Sequence, residues 1–191
     1  SAIAMLTGME AANASLYDGG TALYEACMMA VRITGRKRIV VDAGVNLIYR
    51  TMLSTYTSNL SLEFVEIPIA HGRTCRDWVR RELNDATAAV IFQNPNFFGC
   101  IDDYTDIVAD VHNVGALAIA SVYPLSLGLL KSPGEMDIDI AVGEGQSLGL
   151  PLSFGGPYLG FMATRKAYVR KMPGRIIGKT VDRDGHPAFV M

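Results

Sequence analysis

Apolar residues in this chain gather in short, nearly continuous runs separated by stretches of helical period. "RIVVDAG" (38–44), "LEFVEIPI" (62–69), "TAAVIFQNP" (87–95), "ALAIASV" (116–122), "DIDIAVG" (137–143) and "YLGFMAT" (158–164) predict six strands. Such runs, without strict alternation, mark strands covered on both faces. Between them the period changes. Residues 17–37 predict a helix on the recurrence of Leu23, Ala26, Cys27, Ala30 and Ile33, with Gly35 at the C-terminal cap. Residues 45–59 predict a second, with Ile48, Met52 and Tyr56 on one stripe. "RTCRDWVRRELND" (73–85) and "DDYTDIVADVHNVG" (102–115) predict two more, Gly115 closing the latter. Residues 1–15 read as an apolar helix and a turn. Residues 174–191 read as two strands about Asp184-Gly185.

Strands alternating with helices imply crossover connections and a mostly parallel sheet with helices on its faces, a three-layer α/β fold. The expected division is one large domain over 1–170 and the start of a further β-rich segment, truncated, over 171–191. Ser1 in place of an initiator Met, and the unclosed apolar run Ala188–Met191, lead us to expect a segment of a longer protein.

Composition sharpens the picture. Half of the 191 residues are hydrophobic and 19% are charged, which suits a sheet covered on both sides. A net charge of −2 with no basic run argues against nucleic acid as a partner. No uninterrupted apolar stretch of about 18 residues occurs, so no membrane span is expected. No charged start followed by an apolar run is visible either. Cys27, Cys75 and Cys100 have neither metal-ligand nor disulfide spacing. The expected compartment is a reducing cytoplasm, and no metal is expected.

Ligands of such sheets bind at the carboxyl ends of the strands. Those ends hold Asp42-Ala43-Gly44, Asn94-Pro95-Asn96, Ser121-Val122-Tyr123 and Gly143–Gln146. "SLYDGGTA" (15–22) opens the long helix with free backbone N–H groups, a place for a phosphate. It reads equally as a cap made by Asp18 or Thr21, and Asp18 would repel a phosphate. "QNPNFFG" (93–99) follows a strand directly and reads either as ligand-holding amides or as a strand-ending turn. His71, His112 and His186 show no ligand spacing. Tyr24, Tyr49, Trp78 and Tyr104 lie in helical patterns and read as packing residues. No nucleophile elbow, phosphate loop or dinucleotide fingerprint is present. The most unusual stretch is "GEGQSLGLPLSFGGP" (143–157). Its five glycines among large apolar residues suit neither a solvated loop nor a plain strand.

The order of these elements resembles the large domain of the fold type I, pyridoxal-phosphate-dependent enzymes. "LTGMEAANASLYDGGTALYEA" (6–26), "QNPNFFG", "SPGEMDIDIAVGEGQSLGLPLSFGGPYLGFMAT" (132–164) and "MPGRIIGKTVDRDGHPAFVM" (172–191) resemble the glycine cleavage system P-protein family, its alpha-type half most closely. The resemblance implies a glycine decarboxylase, glycine dehydrogenase (decarboxylating). In it pyridoxal phosphate serves as electron sink, and the aminomethyl group passes to the lipoylated H-protein. That chemistry needs a Schiff-base Lys and an acid at the pyridine nitrogen.

The chain departs from the family's catalytic half at both places. There a Lys stands about eleven residues before the Pro of a glycine-rich turn, and an Asp about thirteen before the Pro of a Pro-Gly turn. Counted from Pro157 and Pro133, those positions hold Gln146 and Ala120. Lys131 and Lys166, the nearest lysines, lie outside the motif, and no Asp or Glu occurs between Gly115 and Lys131. The resemblance therefore implies a non-catalytic homologue that completes the active site of a partner, glycine dehydrogenase subunit 2 (beta), which would carry the cofactor. Gly19, Gly20, Thr21 and Asn94 would be vestigial cofactor contacts. Gly143, Gln146, Gly155, Gly156 and Pro157 would face the partner. Two rival readings are an independent enzyme of the same fold and cofactor, and an interaction module outside catalysis.

Overall fold

The computed structural model describes residues 2–191. In chain order the elements are α1 (Ala2–Thr7), β1 (Ala11–Ala12), α2 (Gly19–Thr34), β2 (Arg38–Asp42), α3 (Leu47–Tyr56) and β3 (Glu63–Ile67). They continue with β4 (Ile69–Ala70), β5 (Arg73–Thr74), α4 (Arg76–Glu82), β6 (Thr87–Asn94), α5 (Thr105–Asn113) and β7 (Leu117–Val122). Then come β8 (Ile140–Glu144), β9 (Gly160–Thr164), β10 (Gly178–Val181) and β11 (Pro187–Val190).

Seven strands form one sheet in the order β1-β9-β8-β7-β6-β2-β3. From β3 to β8 every pairing is parallel, whereas β9 runs antiparallel to β8 and β1 antiparallel to β9. Alternate residues of each strand enter different cores, which explains the continuous apolar runs. Ile39, Val41, Ile91, Ile119, Ile140 and Val142 meet Ala22, Leu23, Ala26, Met29 and Ala30 of α2 on one face. Val40, Val90, Phe92, Ala118 and Ala120 meet Val79 of α4 and Ile107, Val108 and Val111 of α5 on the other. Each large side chain so buried contributes about 1.5–3 kcal/mol. The result is three layers, as expected from the alternation of elements. Among the described residues no helix is long and apolar enough to cross a membrane.

The differences from expectation have local causes. The strand 62–69 stops at Ile67, because Pro68 has no N–H to give a ladder. The helix 73–85 shrinks to Arg76–Glu82, since Arg73 and Thr74 pair with Ile69 and Ala70 across a tight turn with positive φ at His71 and Gly72. The strand 137–143 begins only at Ile140, after Asp137 with φ of 65°. The first helix ends at Thr7, where Gly8 turns left-handed, and Ser1 lies outside the described residues. Gly35 caps α2 in the left-handed conformation, its N–H on the Val31 carbonyl. Residues 178–190 form a separate hairpin turning at Asp182–His186, in line with the two strands read there.

Candidate functional site

Four parallel strands end together at Asp42, Asn94, Val122 and Glu144. Around their carboxyl ends lies a cleft of about 170 Å³ lined by Asn46, Tyr49, Gln93, Pro95, Ser121, Val122, Tyr123 and Glu144. Its floor is held from within the chain. Gln93 Oε1 accepts the Asn46 N–H at 2.8 Å, and Asn46 Oδ1 caps α3 by accepting the Ile48 N–H at 2.9 Å. No lysine lines the cleft.

The start of α2, the candidate phosphate site, is filled by the protein's own carboxylates. Asp18 Oδ1 accepts the Thr21 N–H at 2.7 Å, and Thr21 Oγ1 accepts the Asp18 N–H at 3.1 Å, a reciprocal capping box. Glu144 Oε2 accepts the Gly19 N–H at 3.0 Å. Gly19 and Gly20 are buried because neighbours crowd them. A Cβ on Gly19 would meet the Tyr49 hydroxyl and one on Gly20 would lie 2.6 Å from Met52 Sδ. Burial, then the charges of Glu144 and Asp18, push the Tyr49 phenol up to about 12. A phosphate placed here would meet two carboxylates, each costing about 1–4 kcal/mol at 4 Å for partly solvated charges.

Asn94 does not face the cleft. Its Nδ2 donates to the Asp102 carbonyl at 2.9 Å and its Oδ1 accepts the Asp102 N–H at 3.3 Å. Asn96 is likewise turned inward: it donates to the Gly72 carbonyl at 2.6 Å and accepts from Phe98 and Cys100, both at 3.0 Å. "QNPNFFG" is thus a strand-ending turn, with Asn94–Pro95 in the cis form. Ala120 is fully buried in the core facing α4 and α5, while its neighbour Ser121 lines the cleft. Beside the cleft, Asp42 is buried with Thr74 and Gly44 donating to it. Burial, reinforced by the nearby Asp102, holds its carboxyl above the usual range despite those bonds.

Gln146 opens a single 3-10 turn beyond β8, and its Nε2 donates to the Pro151 carbonyl at 3.2 Å rather than entering the cleft. Gly143 is buried: a Cβ there would collide with the Val122 carbonyl and lie 2.6 Å from the Phe161 ring. Its glycine serves a close approach inside this chain. Gly155 and Pro157 are exposed and Gly156 half-buried. They sit in a loop that holds Leu150, Leu152, Phe154 and Tyr158 in solvent, Phe154 completely. Glu144 was not singled out from the sequence. An acid between two glycines at a strand end was the available signal, and its Gly19 partner, 125 residues away, was not.

A three-layer sheet in this strand order, with its last two pairings antiparallel, defines the large domain of the fold type I pyridoxal-phosphate-dependent enzymes. Two distant structures share it. One is sphingosine-1-phosphate lyase of Burkholderia pseudomallei (TM-score 0.69, 13% identity, 98% of this chain and 47% of that one). The other is a Campylobacter jejuni protein solved with N'-pyridoxyl-lysine-5'-monophosphate (TM-score 0.67, 17% identity, 91% of this chain and 41% of that one). The chain belongs to the glycine cleavage system P-protein family, whose sequence pattern matches residues 1–191. It is 60% identical over 190 residues, all of this chain and 43% of the relative, to "Probable glycine dehydrogenase (decarboxylating) subunit 1" of Geotalea uraniireducens (strain Rf4). It is also similar to a crystal structure of glycine decarboxylase (P-protein) in inhibitor-bound form, with TM-score 0.93 and 46% identity over 99% of this chain and 42% of that one. The chain spans somewhat under half the length of these relatives.

The residues around the cleft do not fit pyridoxal phosphate. No lysine stands among the residues that line the cleft to form a Schiff base. The N-terminus of α2 already carries two carboxylates.

Proposed function

We propose that this chain is part of the alpha subunit, subunit 1, of the glycine decarboxylase of the glycine cleavage system, and that it is the non-catalytic half of a heteromer. On this reading the beta subunit, subunit 2, holds pyridoxal phosphate, decarboxylates glycine and passes the aminomethyl group to the lipoylated H-protein in the cytoplasm. This chain contributes walls rather than reacting groups. Gln146, Gly155, Gly156 and Pro157 lie on the loop that would meet the partner.

One observation carries the reading: the anion position at the start of α2 is taken by Glu144 and Asp18, in a cleft without lysine. The exposed Leu152 and Phe154, on the loop that follows Glu144, suit burial against another subunit.

The test is to purify the full-length subunit alone and with the matching beta subunit, and to assay glycine decarboxylation with H-protein. Activity is expected only with both subunits. Turnover by the alpha subunit alone, or a cofactor adduct on it fixed by borohydride, would sink the reading and favour an independent enzyme. Stable assembly without activity would favour an interaction module.

A further inference from the structure

Glu144 ties the turn that follows it to two places farther off in the chain. Its Oε2 accepts the Gly19 N–H at 3.0 Å, and its Oε1 accepts the Gln146 N–H at 3.0 Å and the Leu159 N–H at 2.7 Å. Three backbone donors on one carboxylate make a complete anion cradle, and none of them comes from a side chain. One donor is the first residue of a 16-residue helix, where free N–H groups and the helix dipole, about half a unit charge, favour a negative group. The other two stand at the two ends of the loop 145–159, whose base is also closed by the Gly145 N–H on the Leu159 carbonyl at 2.7 Å. Close packing holds the three strands of chain together. A Cβ on Gly19 would be 3.1 Å from Glu144 Cβ, and one on Gly160 would collide with the Asp18 carbonyl.

From this geometry we infer that Glu144 is a positioning residue: it is a built-in replacement for a bound anion at the start of α2, and it fixes the loop 145–159 in the form shown to the partner. A free anion in this cradle would come and go, and the loop with it. A carboxylate carried on β8 is always present. Beyond its base the loop is held by bonds within itself, the Leu150 N–H to the Gln146 carbonyl at 2.9 Å, the Gly155 N–H to the Leu152 carbonyl at 3.0 Å and Gln146 Nε2 to the Pro151 carbonyl at 3.2 Å. Leu150, Leu152 and Phe154 point into solvent, and Ser153 and Phe154 both have positive φ. The part of this inference that concerns the partner rests on the function proposed above; the part that concerns the cradle does not.

The two parts can be tested separately. In the full-length subunit, Glu144→Ala should raise hydrogen exchange at the Gly19, Gln146 and Leu159 amides by about tenfold or more, the loss expected for bonds to a charged acceptor. Exchange in the middle of α2 should stay as it was. Acetate at tens of millimolar should restore the protection, and chloride at equal ionic strength should not. If the variant folds only in acetate, that too is rescue. If it does not fold at all, Glu144→Gln decides. That side chain keeps the size but turns an amide NH₂ toward part of the cradle, and it should speed exchange at one or more of the three amides. Unchanged exchange in the folded variants, or no difference between acetate and chloride, overturns the inference about the cradle. In the assembled two-subunit enzyme, Glu144→Ala should lower kcat/KM for glycine, with recovery in acetate. Exchange that responds while kcat/KM does not would leave the cradle standing and overturn the loop's part in the partner's site.

Discussion

His112 Nε2 lies 2.8 Å from Asp139 Oδ2, joining α5 to the start of β8 at the opposite end of the sheet from the cleft. Asp137 stands 3.4 Å from the other ring nitrogen, and Arg165 pairs with both aspartates. The hydrogen bond to Asp139 raises the imidazole's pKa, burial opposes it, and the charges of Asp139 and Asp137 outweigh that of Arg165. A histidine raised by folding stabilises fully below its unfolded value, near 6.5, and the stabilisation is lost as pH rises through the folded value. His112→Gln should therefore cost about 1 kcal/mol at pH 5.5, a value discounted for partial exposure. The gap to the native chain should close as pH rises above about 6.5. Thermal melts of both proteins across this range check it, and a gap independent of pH would refute it.

Gly143→Ala should destabilise by at least about 1–3 kcal/mol, because the colliding atoms are the Val122 backbone and a buried Phe161 ring that cannot retreat. Gly128→Ala is the control: nothing lies within 4 Å of its Cβ position, and it should be nearly neutral. The difference in denaturation midpoint between the two variants reads the effect.

Asp18→Ala removes the side chain that caps α2 and should cost about 1 kcal/mol. Asp18→Asn keeps an acceptor oxygen in the same place and should cost much less. Equal losses in urea denaturation would show that the charge, rather than the cap, is the source.

Phe154→Ser, with the side chain wholly in solvent, should leave the melting temperature of the isolated subunit unchanged. On the proposed function it should weaken association with the beta subunit by about tenfold or more, as loss of a buried aromatic anchor does. Sedimentation of the mixed subunits measures this; unchanged association would remove Phe154 from the interface.

The layered fold was legible because each central strand is apolar on both faces, and the helix period between strands is strong. The strand β1 was not: Ala11 and Ala12 carry no strand signal, and their pairing comes from Ala163 and Thr164. The site was legible in part: the strand ends named Pro95, Ser121, Val122 and Tyr123, whereas Asn46 and Tyr49, the latter read as a packing residue, reach the cleft from the start of α3. What failed was direction. Asn94 could be seen to end a strand, but whether its amide turned to the cleft or to Asp102 depended on how the next eight residues fold back. Glu144 stayed hidden for a similar reason, since two of its three donors lie 15 and 125 residues away.

The antiparallel pairing of β8 with β9 has a topological consequence. The parallel connections earlier in the sheet must cross from one end to the other, and most carry a helix that packs on a core. Between Glu144 and Gly160, which face each other across the ladder, the chain only has to turn round. Residues can be added or removed there without rethreading a helix or shifting a strand. The register of β8 on β9, from Ile140–Thr164 to Glu144–Gly160, is set by the ladder itself and not by the contour of this loop.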